Sequence, residues 1–222
     1  MVGEALAACP DRVSALFVDE ARLEAYAALT ALVPQTACYA VPSHVLAAIS
    51  QVKTPQGVAA VCAMPPSPAP EEMGNRLILL ENVQDPGNVG TVLRTLDAAG
   101  FDGCILTPGC ADPFGPKALR ATMGSVFRVP VCSVGNTVET VQALNARGYA
   151  TLAAALDGEN FYRRAPLPAR LCVLIGNEGA GLTKQAQDAC TNRFRLPMRG
   201  GAESLNAAVA AAVMMYDLIN RE

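Results

Sequence analysis

The chain has no tryptophan and only one histidine, His44, and aromatics make up 5% of its 222 residues. A lone histidine with no ligand-type neighbours does not make a zinc site. None of the eight cysteines stands in a Cys-x-x-Cys pair, which speaks against a metal cluster or a disulfide framework. Scattered free thiols fit a reducing, cytoplasmic setting. No apolar run approaches the ~20 residues of a membrane span, and no charged segment followed by an apolar one opens the chain as a leader. Charged residues are 17% and the net charge is −3. A globally basic nucleic-acid binder is thereby excluded, and any RNA contact must use a local patch. The string GxxxxGK[ST] is missing, as is GxGxxG, so neither phosphate-cradling fingerprint is available.

What is present is material for a core: 51% of the residues are hydrophobic, with alanine dominant. The stretch PPSPAPEEMGN, residues 65–75, is proline-rich and aperiodic and reads as a linker. Before it, residues 1–64 read as a small α/β unit whose start looks incomplete. It holds strand-like SALFVDE and GVAAVCAM and helix-like ARLEAYAALTAL and SHVLAAISQV, with His44 near a helix start. After it, residues 76–222 alternate. Apolar strand candidates are RLILL, GCILT, VFRVPV, YATLAAAL, LCVLIG and RFRLPM. Helix candidates between and after them are NVGTVLRTLDAAG, PKALRATM, TVETVQALNARG, TKQAQDAC and SLNAAVAAAVMMYDLIN. Continuous apolar strands alternating with helices predict a parallel sheet covered on both faces. Ligands of such sheets bind beyond the carboxyl ends of the strands.

Three strand ends carry unusual loops: LLENVQDPGNVGTVLRT, LIGNEGAGLT and RLPMRGGAESLNAAVA. Each passes from strand to helix through glycine with Asn, Asp, Glu or Ser, and glycine lets backbone approach a ligand closely. Glu178 inside the second loop would repel a pyrophosphate. A ligand with a cationic centre and an adenosine moiety suits these loops better.

The segments NVQDPGNVGTVLRT, IGNEGAGL and LPMRGGAESLNAAVAAAV, in this order, resemble the three signature motifs of the SpoU-type RNA ribose 2′-O-methyltransferases of the SPOUT superfamily. The resemblance covers residues 76–222, and residues 1–64 resemble the family's small ribosomal-protein-like RNA-binding domain. It implies a parallel α/β sheet with a C-terminal trefoil knot and S-adenosylmethionine as cofactor, without metal. It implies a homodimer through the last helix and ribosomal or transfer RNA as substrate, with no role for a membrane. Carried over by position, Gly176, Leu196 and Leu205 would bind the cofactor, with Ile175, Asn177 and Met198 in the same pocket. Asn88, Arg94, Glu178, Ser204 and Asn206 would form the catalytic set, Glu178 holding Arg94 or a neighbouring loop.

Each of these residues also has a plainer reading. Asn88 could cap a helix beginning at Val89, and Ser204 and Asn206 could cap the last helix. Glu178 could favour the following helix N-terminus by charge. Arg94 could be a solvated surface charge. FYRRAP (161–166), Lys117, Arg120 and Arg128 are either ordinary solvated charge or part of an RNA face. Two rival functions remain at this stage, an RNA-binding dimer without activity and a methyltransferase acting on a base nitrogen.

Overall fold

The computed structural model describes every residue except Gln51, Lys53, Arg221 and Glu222, together with the Thr36 side chain. The chain divides into two compact units, Met1–Pro66 and Ser67–Glu222. In the first, α1 (Val2–Ala8) precedes β1 (Val13–Asp19), α2 (Ala27–Thr30), β2 (Cys38–Val41), α3 (Ser43–Ile49) and β3 (Val58–Cys62). The strands form a mixed sheet in the order β2-β1-β3, β2 parallel and β3 antiparallel to β1. Ala5, Leu6, Leu16, Val18 and Leu46 are its most buried side chains. The expected long helix over ARLEAYAALTAL is instead two 3₁₀ turns and the four-residue α2. His44 lies in the first turn of α3, and Gln51 of the expected helix SHVLAAISQV lies outside the described residues.

The second unit is built on six parallel strands in the order β6-β5-β4-β8-β7-β9. The elements run β4 (Arg76–Leu80), α4 (Pro86–Ala99), β5 (Gly103–Leu106), α5 (Pro116–Thr122), β6 (Val131–Ser133) and α6 (Thr137–Ala146). They continue with β7 (Ala150–Asn160), β8 (Leu171–Ile175), α7 (Lys184–Ala189), β9 (Asn192–Arg195) and α8 (Ala207–Ile219). Burial on both faces explains why β4 is apolar from Leu77 to Leu80. Ile78 and Leu80 enter a core with Val92 and Leu96 of α4 and with Ala211, Met214 and Met215 of α8. Leu77 and Leu79 enter the opposite core with Val141 and Leu144 of α6. Each such fully buried side chain contributes about 1.5–3 kcal/mol of transfer free energy.

Three local results differ from the sequence expectation. VFRVPV is not one strand: Ser125–Phe127 is a 3₁₀ turn, and only Val131–Ser133 pairs in the sheet. The last helix starts at Ala207 rather than Ser204, because Asn206 caps it by accepting from the Ala208 and Val209 N–H groups. Within the stretch 65–75, Pro70–Glu72 is a 3₁₀ turn and Met73 is buried.

Candidate active site

The first loop is set by its cap. Asp85 Oδ1 accepts from the N–H groups of Gly87 (2.6 Å) and Asn88 (3.2 Å), and Pro86 occupies the first helical position of α4. Proline there has no N–H to leave unpaired, and its fixed φ suits a helix start. Asp85 is also 3.2 Å from Lys117 Nζ. Lys117 first, then the two N–H groups, hold the Asp85 carboxyl below its ordinary range. Asn88 is therefore not the cap but the third residue of α4, and its amide is free for another use.

That use joins the three loops. Asn88 Nδ2 donates to Glu178 Oε1 at 2.8 Å, and Asn88 Oδ1 accepts from Asn206 Nδ2 at 2.9 Å. Glu178 accepts in addition from the N–H groups of Gln84 (3.2 Å) and Asp85 (3.1 Å). Burial pushes the Glu178 carboxyl up, but the donors from Asn88, its own N–H, Asp85 and Gln84 outweigh it, so the net shift is downward. Glu178 thus holds the neighbouring loop and not Arg94. Arg94, in the third turn of α4, is exposed, and its guanidinium has no partner among the described residues.

The second loop folds tightly on itself. Asn177 and Gly181 exchange N–H···O bonds of 3.1 and 2.9 Å. Asn177 Oδ1 accepts from Gly179 and Ala180 N–H, and its Nδ2 donates to the Asn82 carbonyl. A Cβ at Gly176 would sit 2.1 Å from the Gly181 carbonyl carbon and 2.2 Å from Leu182 N. Only glycine fits, so bulk at 176 would collide with the loop itself before it filled any cavity.

Beyond the strand ends lies a cleft of ≈ 500 Å³, within the ~300–1,000 Å³ usual for small-molecule sites. Ile175, Gly176, Asn177, Leu196, Met198 and Leu205 all line it, together with Glu178 and Ser204. Asn88 and Asn206 reach it only through Glu178, and Arg94 does not line it. The surround suits a nucleoside cofactor with positive charge: peptide groups from a glycine loop, apolar Leu196 and Met198, and acidic rather than basic groups in the glycine loop.

Two features escape sequence reading. Glu81, 6% exposed, accepts from Thr183 N–H (2.7 Å) and Thr183 Oγ (3.0 Å), tying the end of β4 to the start of α7. An acid directly after an apolar strand was the available signal, since a buried carboxylate needs dedicated donors. The end of β7 also lines the cleft through Ala154–Asp157. The polar DGEN after its apolar run was that signal.

Comparison with known proteins decides the family. The SpoU rRNA Methylase family matches residues 75–216, and the substrate-binding domain of RNA 2′-O ribose methyltransferases matches residues 1–68. The chain belongs to the SpoU rRNA methylase family. It is therefore an S-adenosylmethionine-dependent RNA ribose 2′-O-methyltransferase. Among SpoU relatives, it is 39% identical over 181 residues to the 23S rRNA (guanosine(2553)-2′-O)-methyltransferase RlmP of Bacillus subtilis, covering 82% of this chain and 72% of that one. An AdoMet-bound rRNA methyltransferase from Sinorhizobium meliloti superposes with TM-score 0.83 at 31% identity, over 99% of this chain and 84% of that chain. The SpoU methyltransferase AviRb from Streptomyces viridochromogenes, in complex with AdoMet, gives TM-score 0.85 at 28% identity, over 99% and 86%.

Proposed function

We propose that the chain methylates a ribose 2′-hydroxyl of 23S ribosomal RNA, with the cofactor in the strand-end cleft and the RNA engaged by the first unit. The observation that carries the reading is the side-chain bridge Glu178–Asn88–Asn206, which fastens all three motif loops around one cleft. A protein that only bound RNA would have no use for it. The likeness to RlmP favours 23S over transfer RNA.

S-adenosylmethionine would supply a methyl group already activated on a sulfonium, so the protein need only position the ribose 2′-hydroxyl, whose proton leaves to solvent as the methyl is transferred. Gly176, Leu196 and Leu205 hold the cofactor, with Ile175, Asn177 and Met198 beside them. Glu178 is a poor base, because its carboxylate is held ionised by several donors. Asn88 and Asn206 spend their amide groups on the bridge and the helix cap. These three brace the site. Arg94 and Ser204 have no side-chain hydrogen bond or ion pair among the described residues. Arg94 orients the 2′-hydroxyl and the adjacent phosphate, since a planar guanidinium suits bidentate phosphate contact and does not surrender its proton.

The reading extends to the family's C-terminal knot, to a homodimer through α8, and to a cytoplasmic site of action. Val209 and Tyr216, exposed on α8 by 47% and 43%, support the dimer. The test of the RNA class is transfer of labelled methyl to unmodified transcripts. Label should enter 23S transcripts at least tenfold faster than transfer RNA transcripts. The reverse preference would move the substrate to transfer RNA.

A further inference from the structure

The β7–β9 ladder is interrupted beside the cleft. Ala154 and Glu159 both stand opposite Phe194, so residues 155–158 leave the ladder and return to it. Gly158 makes the return possible. A Cβ there would lie 2.6 Å from Phe194 N and 2.7 Å from the Arg193 carbonyl carbon, both backbone atoms. The excursion brings Leu156, 68% exposed, and Asp157 onto the lining of the cleft.

Asp157 and Glu178 are the acids among the described residues lining that cleft. They differ in what they have to spare. Glu178 is engaged by Gln84, Asp85 and Asn88. Asp157 has no hydrogen bond or ion pair with any described residue. The cations on the same lining do not neutralise it: Lys184 lies 3.2 Å from Asp188, and Arg195 forms no ion pair with Asp157. The cleft lining thus presents one carboxylate with its hydrogen-bond capacity unspent, beside an Arg195 that has no ion pair among the described residues, on a backbone detour that only glycine permits. Asp157 is itself exposed, and a cation seated in the cleft beside it would form a charge-assisted contact.

We propose that Asp157 is the counter-charge for a cationic centre of bound S-adenosylmethionine, its ammonium or its sulfonium. The proposal rests on the cofactor reading above and adds a binding residue to it. Asp157→Asn keeps the shape and removes the charge. Titration calorimetry of the full chain and this variant with three probes separates the cases. S-adenosylmethionine carries both cations, S-adenosylhomocysteine only the ammonium, and 5′-methylthioadenosine neither. Asp157→Asn should weaken S-adenosylmethionine about tenfold or more, the scale of one charge-assisted contact, and leave 5′-methylthioadenosine unchanged. Equal weakening of S-adenosylhomocysteine assigns the ammonium, and weakening of S-adenosylmethionine alone assigns the sulfonium. Unchanged S-adenosylmethionine affinity, or equal loss for all three probes, overturns the proposal. If the unaltered chain binds none of the probes, the cofactor reading falls and the proposal with it.

Discussion

At the scale of single residues, the motif letters were legible but the bonds among them were not. Asn88, Glu178 and Asn206, with Arg94 and Ser204, could be picked out as a set because their segments resemble the SpoU motifs. That the first three bond to one another across up to 118 positions of sequence could not, since local spacing says nothing about which loops the sheet order brings together. Asp85 shows the limit from the other side. With Pro86 after it, it is the better cap on chemistry alone, and its capture of Gly87 and Asn88 N–H frees Asn88 for the bridge. The bridge has a pH signature. The folded-state pKa of Glu178 is depressed. Its contribution to stability is therefore present above the pKa of the unfolded carboxyl and is lost as pH falls through the lower folded value. Thermal melts of the wild type and Glu178→Gln should differ near neutral pH and converge below the ordinary carboxylate range. A gap that stays constant into acid would show that the charge on Glu178 contributes nothing to holding the loops.

At the scale of elements, the continuous strands and the long helices were legible because burial on both faces leaves apolar runs, as in RLILL and LCVLI. Pieces whose form depends on tertiary contact were not. Ser125–Phe127 lies in an apolar string yet turns, following Met123 and Gly124 in left-handed conformations that no strand allows. The detour in β7 is likewise a matter of register with β9, invisible in β7 alone. Gly176→Ala places a methyl group against the Gly181 and Leu182 backbone, where no rotamer change can relieve it. The variant should lose cofactor binding together with roughly 5 °C or more of melting temperature, from an overpacking cost of about 1–3 kcal/mol. Loss of binding with an unchanged melting temperature would mean that the added methyl occupies the cleft rather than breaking the loop.

At the scale of the whole molecule, the two-unit division was visible in the proline-rich stretch, although Met73 is buried within the second unit. The family resemblance implied an interface through the apolar last helix. The structure shows that much of its apolar surface is already used inside the chain, with Ala207, Ala211, Met214, Met215 and Leu218 buried. What is left for a partner is narrower, centred on Val209 and Tyr216. Light scattering of the full chain should give twice the 23.1 kDa chain mass at micromolar concentration. Replacing Val209 and Tyr216 together with Glu should give the single-chain mass without loss of helicity. A wild-type particle of single-chain mass would remove the dimer from the account.

In the proposed reaction the three loops bring a methyl group to a ribose 2′-hydroxyl that Arg94 orients. The most direct measurement is the identity of the product. Unmodified ribosomal RNA transcript is incubated with the protein and labelled S-adenosylmethionine, digested to nucleosides and resolved by mass spectrometry. The wild type should yield a 2′-O-methylnucleoside. Arg94→Ala should yield at least about 10²-fold less with its calorimetric affinity for the cofactor unchanged, as expected for a group that acts mainly in the transition state. A methylated base in place of a methylated ribose, or near-wild-type transfer by Arg94→Ala, would contradict the proposed reaction.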